Sequence, residues 1–214
     1  AFETIRYDGR DGRIRVTLAR PDQRNALSAT MVEELAEALE RARRDEARAL
    51  LLTAEGPDFA VGPEPSDRDF PSGEGVDLGA FVESRFNPLL RRLRGLPLPT
   101  VAAVQGLAAG AGANLALACD LVLAGGTARF VQDAATLALI PDAGGTWTLT
   151  RRLGEARAIG LVLTGEPLSG EAAARWGLIW RAVDDAALAD EAEALAGRLA
   201  AGPTRAFALA KRAI

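Results

Sequence analysis

Two stretches of the chain contain the residues best suited to chemistry. Residues 106–114 form a run of small residues between a β-branched segment and an apolar helical segment. Such a run lets backbone N–H groups approach a ligand oxygen without obstruction by side chains. Further along, the carboxylate of Asp142 stands between a proline and the Gly144-Gly145 pair. A single carboxylate of this kind could lift a proton from one carbon and return it to another.

The composition excludes several other kinds of catalytic site. The 214 residues include no histidine, and Lys211 is the only lysine. A Ser-His-Asp triad, a Cys-His pair, a histidine metal site and a P-loop are therefore excluded. Acid–base chemistry at neutral pH must come from carboxylates, a tyrosine or backbone dipoles. The net charge of −4 argues against nucleic-acid binding, because phosphate backbones recruit basic surfaces.

Length, hydropathy and cysteine content predict a cytoplasmic protein with one domain and no membrane segment. A chain of 214 residues is long enough for a complete hydrophobic core. No apolar run reaches the roughly 18 residues that span a bilayer, and the first residues lack the pattern of a signal peptide. The single cysteine, Cys119, excludes an internal disulfide and is typical of a reducing compartment.

The hydrophobic pattern predicts strands separated by helices, which is typical of an α/β fold. Apolar or alternating runs predict strands at residues 13–19, 49–53, 100–105, 121–124 and 177–183. Helical periods predict helices at residues 78–94, 155–164, 169–176, 185–201 and 204–214. A further helix should begin near Ser28 or Thr30, where Thr30 and Glu33 match a capping box. Residues 56–65 contain too many prolines for regular structure.

Three motifs resemble the crotonase superfamily, the enoyl-CoA hydratases and isomerases. They are the small-residue run that ends in Asp120, the run from Leu139 to Trp147, and the Trp-Gly-Leu-Ile-Trp segment at 176–180. All three are similar to the branch that isomerises ring-epoxide CoA thioesters of the phenylacetate pathway, and the third is the most discriminating. The resemblance implies an α/β fold, a crotonase (ClpP-like) spiral of ββα units.

The same resemblance implies how the chain is divided and assembled. The spiral core would occupy residues 1–184, and residues 185–214 would begin a C-terminal helical oligomerisation region whose final helices are absent. The alanine- and leucine-rich faces of the helices at 185–201 and 204–214 exceed what a core of this size must cover. Exposed apolar faces favour association, so we expect a homo-trimer or a dimer of trimers, as in similar proteins.

In the family, two backbone N–H groups bind the thioester oxygen. The first donor would be the N–H of Ala111. The second comes from the residue after the glycine in a Phe-x-x-Gly-x-Asp pattern, which here reads Phe59 to Glu64, with Gly62 followed by Pro63. Proline has no N–H, and losing such a donor typically costs about 2.7–4 kcal/mol. Gly62 or Glu64 would have to supply a substitute.

The acid–base residues implied by the resemblance favour isomerisation over hydration. Similar hydratases use two glutamates, and alignment places Asn114 and Ala134 at their positions. Neither can exchange a proton, and the neighbouring Asp133 is interpreted as a solvated charge. Asp142 matches the aspartate of the isomerase branches. Two purely structural interpretations remain: Asp142 as N-cap of a helix that starts near Gly144, and residues 106–114 as a tight turn with close helix packing.

An acyl-CoA thioester is the implied substrate, with coenzyme A arriving as part of it and no metal or other cofactor. The run at 20–27 is similar to the family's nucleotide-side loop, in which Arg24 would contact a phosphate. The other implied substrate contacts are Ala26, Ala60, Pro63, Glu64, Asn114 and Trp147.

The expected function is isomerisation of an enoyl-CoA or a ring-epoxide (phenylacetyl-type) CoA thioester through an oxyanion-stabilised enolate. One alternative is a catalytically impaired homologue that binds CoA thioesters, which Pro63, Glu64 and Pro65 favour. A second alternative is an enoyl-CoA hydratase, which Asn114 and Ala134 argue against.

Overall fold

The computed structural model describes residues 1–63 and 77–214. Its strands are β1 (Ile5–Arg10), β2 (Arg13–Leu18), β3 (Ala49–Ala54), β4 (Ala60–Val61), β5 (Thr100–Val104), β6 (Leu107–Ala109), β7 (Leu121–Gly125), β8 (Arg129–Val131), β9 (Leu168–Ser169) and β10 (Arg181–Val183). Its α-helices are α1 (Ala29–Arg44), α2 (Leu78–Gly95), α3 (Gly110–Leu117), α4 (Gly145–Leu153), α5 (Glu155–Thr164), α6 (Gly170–Trp176), α7 (Leu188–Ala201) and α8 (Thr204–Ala213).

The strands form two sheets, and the chain passes repeatedly from one to the other. The larger sheet has the order β1-β2-β3-β5-β7-β10, and the smaller has the order β4-β6-β8-β9. In each of the pairs β3–β4, β5–β6 and β7–β8, the first strand joins the larger sheet and the second joins the smaller. Helices α2, α3 and α4 follow these pairs in turn. The expected spiral of ββα units is therefore confirmed.

The central strands of the larger sheet, β3, β5 and β7, are buried on both faces, which explains their continuous apolar runs. Leu50 and Leu52 of β3 point into the main core, whereas Leu51 lies on the opposite face. That opposite face packs against α7 through Leu188, Ala192, Leu195 and Ala196. The alternating sequence of β2 buries Ile14, Val16 and Leu18 on one side, as the period of two requires.

Helix α1 begins after Ser28, whose Oγ accepts a hydrogen bond from the Met31 N–H at 3.2 Å. The capping box of Thr30 and Glu33 is wrong, because Thr30 already lies within the helix. The Glu33 carboxylate instead pairs with Arg85 of α2 at 2.9 Å. The sequence offered two candidate caps, Ser28 and Thr30, and the helix begins after the first of them.

Regular structure appears inside residues 56–65, where prolines predicted none. The Phe59 N–H donates to the Leu107 carbonyl at 3.0 Å, and β4 then pairs in parallel with β6. The predicted strand at 177–183 is shorter than expected, because Gly177 ends α6 in a left-handed conformation and β10 covers only Arg181–Val183.

The two C-terminal helices differ in how they are covered. The apolar face of α7 is buried against the larger sheet, so the expectation of an uncovered face is wrong for that helix. In α8 only Ala208 is buried, while Leu209 remains exposed. Lys211 of α8 donates to Asp120 Oδ2 at 2.6 Å and to the Leu98 carbonyl at 3.0 Å. Over the described ranges, no helix combines the length and apolar character needed to cross a bilayer.

Candidate active site

The N-terminus of α3 is held close to β4 by residues that have no side chain. A Cβ atom on Gly112 would lie 2.4 Å from the Ala60 carbonyl oxygen, and one on Gly106 would lie 1.9 Å from the Pro57 carbonyl oxygen. Gly106 and Gly110 also have positive φ angles, of 54° and 50°. The structural interpretation of residues 106–114, a tight turn with close helix packing, therefore accounts for glycine at positions 106 and 112. The same packing brings the first turn of α3 against β4.

Ala111 is the second residue of α3, so its N–H has no acceptor within the helix. Within the described part of the chain, no backbone carbonyl outside α3 accepts from this N–H either. The N–H also lies at the positive end of the helix dipole, which favours negative charge on a bound oxygen. Position and dipole together suit Ala111 to the role of oxyanion donor.

The expected second donor is not available at Gly62. Its N–H donates to the Ala109 carbonyl at 3.0 Å, and its carbonyl accepts from the Leu27 N–H at 2.8 Å. The assignment of Gly62 as a substitute donor is therefore corrected, because pairing between β4 and β6 uses this N–H. Pro63, which forms a bridge with Leu27, has no N–H to offer. Glu64 and Pro65 lie outside the described residues.

The loop at 20–27 is organised by Asn25, which is fully buried and has a φ of 53°. Its Oδ1 accepts from the Arg20 N–H, and its Nδ2 donates to the carbonyls of Glu55 and Asp58, each at 2.9 Å. Sequence reasoning missed this residue. Asparagine tolerates a left-handed conformation in turns, and this property could have marked Asn25 as the residue that organises the loop.

Arg24 is tied to the same network by an ion pair. Its Nε donates to Asp58 Oδ2 at 2.6 Å, and its side chain is 55% exposed. Asp58 Oδ1 accepts from the Leu107 N–H at 2.9 Å, which joins the loop to β6. Burial raises the pKa of Asp58, but the hydrogen bonds from Arg24 and Leu107 outweigh it, so the pKa lies below its ordinary value.

The two alanines expected to contact substrate, Ala26 and Ala60, have side chains that are 5% and 0% exposed. Both main chains are engaged within the protein. Ala26 donates to Gln23 and accepts from Arg20, and the Ala60 carbonyl faces Gly112.

A cavity of about 480 Å³ is lined by residues of α2, by the segment from Pro141 through α4, and by Asn114 and Ala118 at α3. It brings together three of the predicted site residues, namely Asn114, Asp142 and Trp147. The described residues that line it include one carboxylate, Asp142, which is half-buried. Desolvation raises the pKa of this carboxyl above its ordinary value, opposed only by a hydrogen bond from its own N–H. An elevated pKa brings a carboxylate closer to the basicity that proton transfer near neutral pH requires.

Asp142 does not act as the N-cap of α4. The N-cap position belongs to Gly144, with φ of 73°, and no side chain caps this helix. Only the backbone carbonyl of Asp142 is used there, and it accepts from the Gly145 N–H at 2.7 Å. The carboxyl group thus remains at the cavity.

The two positions at which hydratases carry glutamates hold no carboxylate in the folded chain. Asn114 is 2% exposed and lines the cavity, and Ala134 begins a short 3₁₀ turn. The neighbouring Asp133 is half-buried rather than fully solvated, with its Oδ1 3.8 Å from the position of a Cβ on Gly110.

Trp147 stands at the cavity with 45% of its surface exposed. The guanidinium carbons of Arg94 and Arg151 lie 4.2 Å and 4.6 Å from its ring centroid, a distance typical of cation–π contact. Burial lowers the pKa of Arg94, with Arg151 acting in the same direction and Asp120 opposing. Sequence reasoning missed Arg94, since its partner lies on another helix. Within the described ranges no group of three or more acidic or cysteine side chains could hold a metal ion.

Comparison with known proteins agrees with this architecture. A family model described as enoyl-CoA hydratase/isomerase matches residues 9–214. The chain belongs to the enoyl-CoA hydratase/isomerase family. The resemblance to the crotonase superfamily that the motifs indicate is thereby confirmed.

Relatives within the enoyl-CoA hydratase/isomerase family carry two kinds of name. A 1,2-epoxyphenylacetyl-CoA isomerase of Escherichia coli K12 is 49% identical over 95% of this chain and 78% of its own length. A Rhodobacter capsulatus protein named "probable enoyl-CoA hydratase" is 47% identical over 100% of this chain and 81% of its own. An enoyl-CoA hydratase structure from Geobacillus kaustophilus superposes with a TM-score of 0.90 at 36% identity, covering 99% of this chain and 81% of that one. Membership of the family therefore leaves the reaction type to the residues of the site.

Proposed function

We propose that this chain isomerises acyl-CoA thioesters, taking an enoyl-CoA or a ring-epoxide (phenylacetyl-type) CoA thioester as substrate. The observation that carries the proposal is one half-buried carboxylate, Asp142, at a cavity where Asn114 replaces a hydratase glutamate. The 49% sequence identity to a 1,2-epoxyphenylacetyl-CoA isomerase also favours isomerisation. Coenzyme A enters as part of the substrate, and the chemistry needs no further cofactor.

For a 3-enoyl thioester, each step has a group to perform it. Asp142 takes a proton from C2, and the C2–H electron pair moves toward the thioester to form a dienolate. The Ala111 N–H stabilises the negative charge on the thioester oxygen, helped by the dipole of α3. The protonated Asp142 then returns the proton to C4, which moves the double bond to C2–C3. No water is consumed.

The nucleotide part of coenzyme A is assigned to the loop at 20–27. Arg24 already pairs with Asp58, but more than half of its side chain is exposed, so a phosphate could share its guanidinium. We place the protein in the cytoplasm as a homo-trimer or a dimer of trimers, supported by the single cysteine and by the exposed apolar side chains of α8.

The experiment uses a cis-3-enoyl-CoA and follows formation of the conjugated 2-enoyl-CoA by its absorbance. Asp142→Asn keeps the shape and hydrogen-bonding reach but cannot take a proton. It should reduce isomerisation by about 10²–10⁴-fold and leave binding of a saturated acyl-CoA, measured by calorimetry, nearly intact. Activity unchanged by this substitution would contradict the proposed mechanism.

A second candidate function is thioester binding with little catalysis. It is favoured by the oxyanion side of the site, since Pro63 has no N–H and the Gly62 N–H is paired with Ala109. A parent chain that binds acyl-CoA but isomerises nothing, and that becomes active on Pro63→Ala, would support this second candidate.

A further inference from the structure

The turn that carries Asp142 is strained and has no side-chain cap of its own. Ala143 and Gly144, directly after Asp142, have φ angles of 46° and 73°. A left-handed conformation is unfavourable for alanine. Such a conformation persists only where the surrounding structure holds it. The direction of the Asp142 carboxyl therefore depends on contacts from outside the turn.

Asn114 makes those contacts. Its Nδ2 donates to the Asp142 carbonyl at 2.9 Å, beside the bond from the Gly145 N–H. A Cβ atom on Gly145 would lie 2.7 Å from the same Nδ2, so glycine is required there to admit the asparagine amide. One buried side chain thus bonds to the first residue of this turn and lies close against the last, Gly145.

Asn114 is in turn oriented by Gln132, which follows β8 and is 4% exposed. Gln132 Nε2 donates to Asn114 Oδ1 at 3.0 Å. Asn114 is 2% exposed, and a buried amide oxygen needs a hydrogen-bond donor. Gln132 Oε1, by contrast, is buried and has no partner among the described residues. The orientation of Gln132 thus gives Asn114 Oδ1 a donor while Gln132 Oε1 has none among the described residues.

The geometry also joins the two reacting centres. Ala111 and Asn114 are three residues apart on α3 and therefore share a face of the helix. Resting on the proposed isomerase function, we infer that Gln132 and Asn114 form an amide relay that positions the Asp142 carboxyl relative to the Ala111 N–H. Gln132 is accordingly a positioning residue, and Asn114 does work that a glutamate at this place could not, since a carboxylate has no N–H to donate.

The test removes or ionises the donor at position 132. Gln132→Met keeps similar bulk without the donor, and should lower kcat on a cis-3-enoyl-CoA by about 10²-fold through misplacement of the carboxylate, with KM near that of the parent. Gln132→Glu can donate only while protonated. Measured against the parent at the same pH, its activity should be nearly equal at low pH and should fall as the glutamate ionises. The parent, whose base is the ionised Asp142, should only gain activity as the pH rises over this range.

Other charged groups around the cavity do not produce that fall in activity. The charged side chains that line it besides Asp142 are Arg91 and Arg94 of α2, and neither contributes to the pKa shift of Asp142. Thr100→Val is the matched control, since it removes a buried polar contact to Asp120 on another part of the core. It should lower the thermal midpoint without changing kcat or the pH profile.

Two results would overturn the relay. One is Gln132→Met with a lowered thermal midpoint but an unchanged kcat, and the other is Gln132→Glu with the pH profile of the parent. If Gln132→Met does not fold, Gln132→Glu at low pH still decides. When one of these results is found, Asp142→Asn separates the two proposals. An active Asp142→Asn variant would contradict the proposed function as well, whereas an inactive one would contradict the amide relay alone.

Discussion

The two halves of the candidate site meet on α3 and are built in different ways. The oxyanion half consists of β4, Gly62, Pro63 and the first turn of α3, and its polar groups are all backbone. The proton half consists of Asn114, Gln132 and the turn from Asp142 to Gly145, where side-chain amides hold the backbone of the residue that carries the carboxylate. Where backbone N–H groups are the donors, a single proline removes one of them. Where side chains hold the group in place, each supporting side chain can be replaced and tested separately.

The contrast bears on how the two steps of the proposed reaction would be supported. In the oxyanion half, Gly62 is paired with Ala109 and Pro63 has no N–H, so among the described residues the donor left is Ala111. In the proton half, Asp142 keeps its carboxyl at the cavity, with a raised pKa and a supported backbone. Under the proposed function, the described residues therefore supply one proton-transfer group, Asp142, and one oxyanion donor, the Ala111 N–H.

The largest expected effect comes from Gly112→Ala in the oxyanion half. The new Cβ would lie 2.4 Å from a backbone oxygen of β4, which has little freedom to move. We expect loss of isomerisation and about 1–3 kcal/mol of lost unfolding free energy, as for other overpacked sites. Denaturant unfolding and the isomerase assay measure both. The matched control is Gly160→Ala in α5, where a Cβ meets nothing within 4 Å. Equal behaviour of the two variants would contradict the steric argument.

Pro63→Ala should act in the opposite direction. If the chain keeps its path, the substitution restores an N–H beside the thioester oxygen, and the rate should rise, at most by the roughly 10²–10³-fold that one oxyanion donor supplies. The kcat on a cis-3-enoyl-CoA measures it. Pro203→Ala, before α8 and outside the proposed site, serves as the control for a proline effect on the unfolded chain. An unchanged kcat would show that position 63 does not face the oxygen.

Gly145→Ala is the counterpart of Gly112→Ala in the proton half. Its Cβ would meet the amide of Asn114, a side chain that can move, rather than backbone. We therefore expect a milder loss of stability than for Gly112→Ala, together with a loss of activity of up to about 10²-fold from displacement of the Asp142 turn. Thermal midpoints and kcat values of Gly145→Ala and Gly112→Ala, measured in parallel, test this difference. A greater loss of stability for Gly145→Ala would reverse the comparison.

The smallest expected effect is a pH dependence of stability from Asp142. Its pKa is raised in the folded protein above the ordinary 3.8, so between these values the folded state binds more protons than the unfolded state. Stability from this group is thus full below pH 3.8 and is lost as pH rises through the folded pKa. Asp142→Asn should therefore gain stability relative to the parent at neutral pH, and this gain should disappear in acid. A gain that is independent of pH would exclude this origin.

Local signals made part of the site predictable. Asp142 and the glycine run are marked by composition within a few residues, so their place at the cavity and at the start of α3 could be expected. The pairing of the Gly62 N–H could not, because β4 is two residues long and owes its existence to β6. Gln132 escaped notice for a similar reason, since its role depends on an asparagine that another element brings to it.

The fold was more predictable than its details. Strands of the larger sheet carry apolar runs that need no knowledge of their neighbours, and five of its six strands were expected. Strand β1 was not, because only Ile5 of its six residues is buried and the period of two is faint. The packing of α7 over Leu51 and Leu123 could not be predicted from the sequence of the helix, because it depends on how the strands assemble into the sheet.

The most direct test of the central claim follows both hydrogen and oxygen. A cis-3-enoyl-CoA deuterated at C2 is converted in water enriched in oxygen-18, alongside crotonyl-CoA, and the products are analysed by mass spectrometry. A single carboxylate that moves a proton between carbons predicts 2-enoyl-CoA with deuterium retained in part at C4, and no oxygen-18 in crotonyl-CoA. Hydroxyacyl-CoA carrying oxygen-18, formed at more than roughly 1 s⁻¹, would contradict the account and make the chain a hydratase.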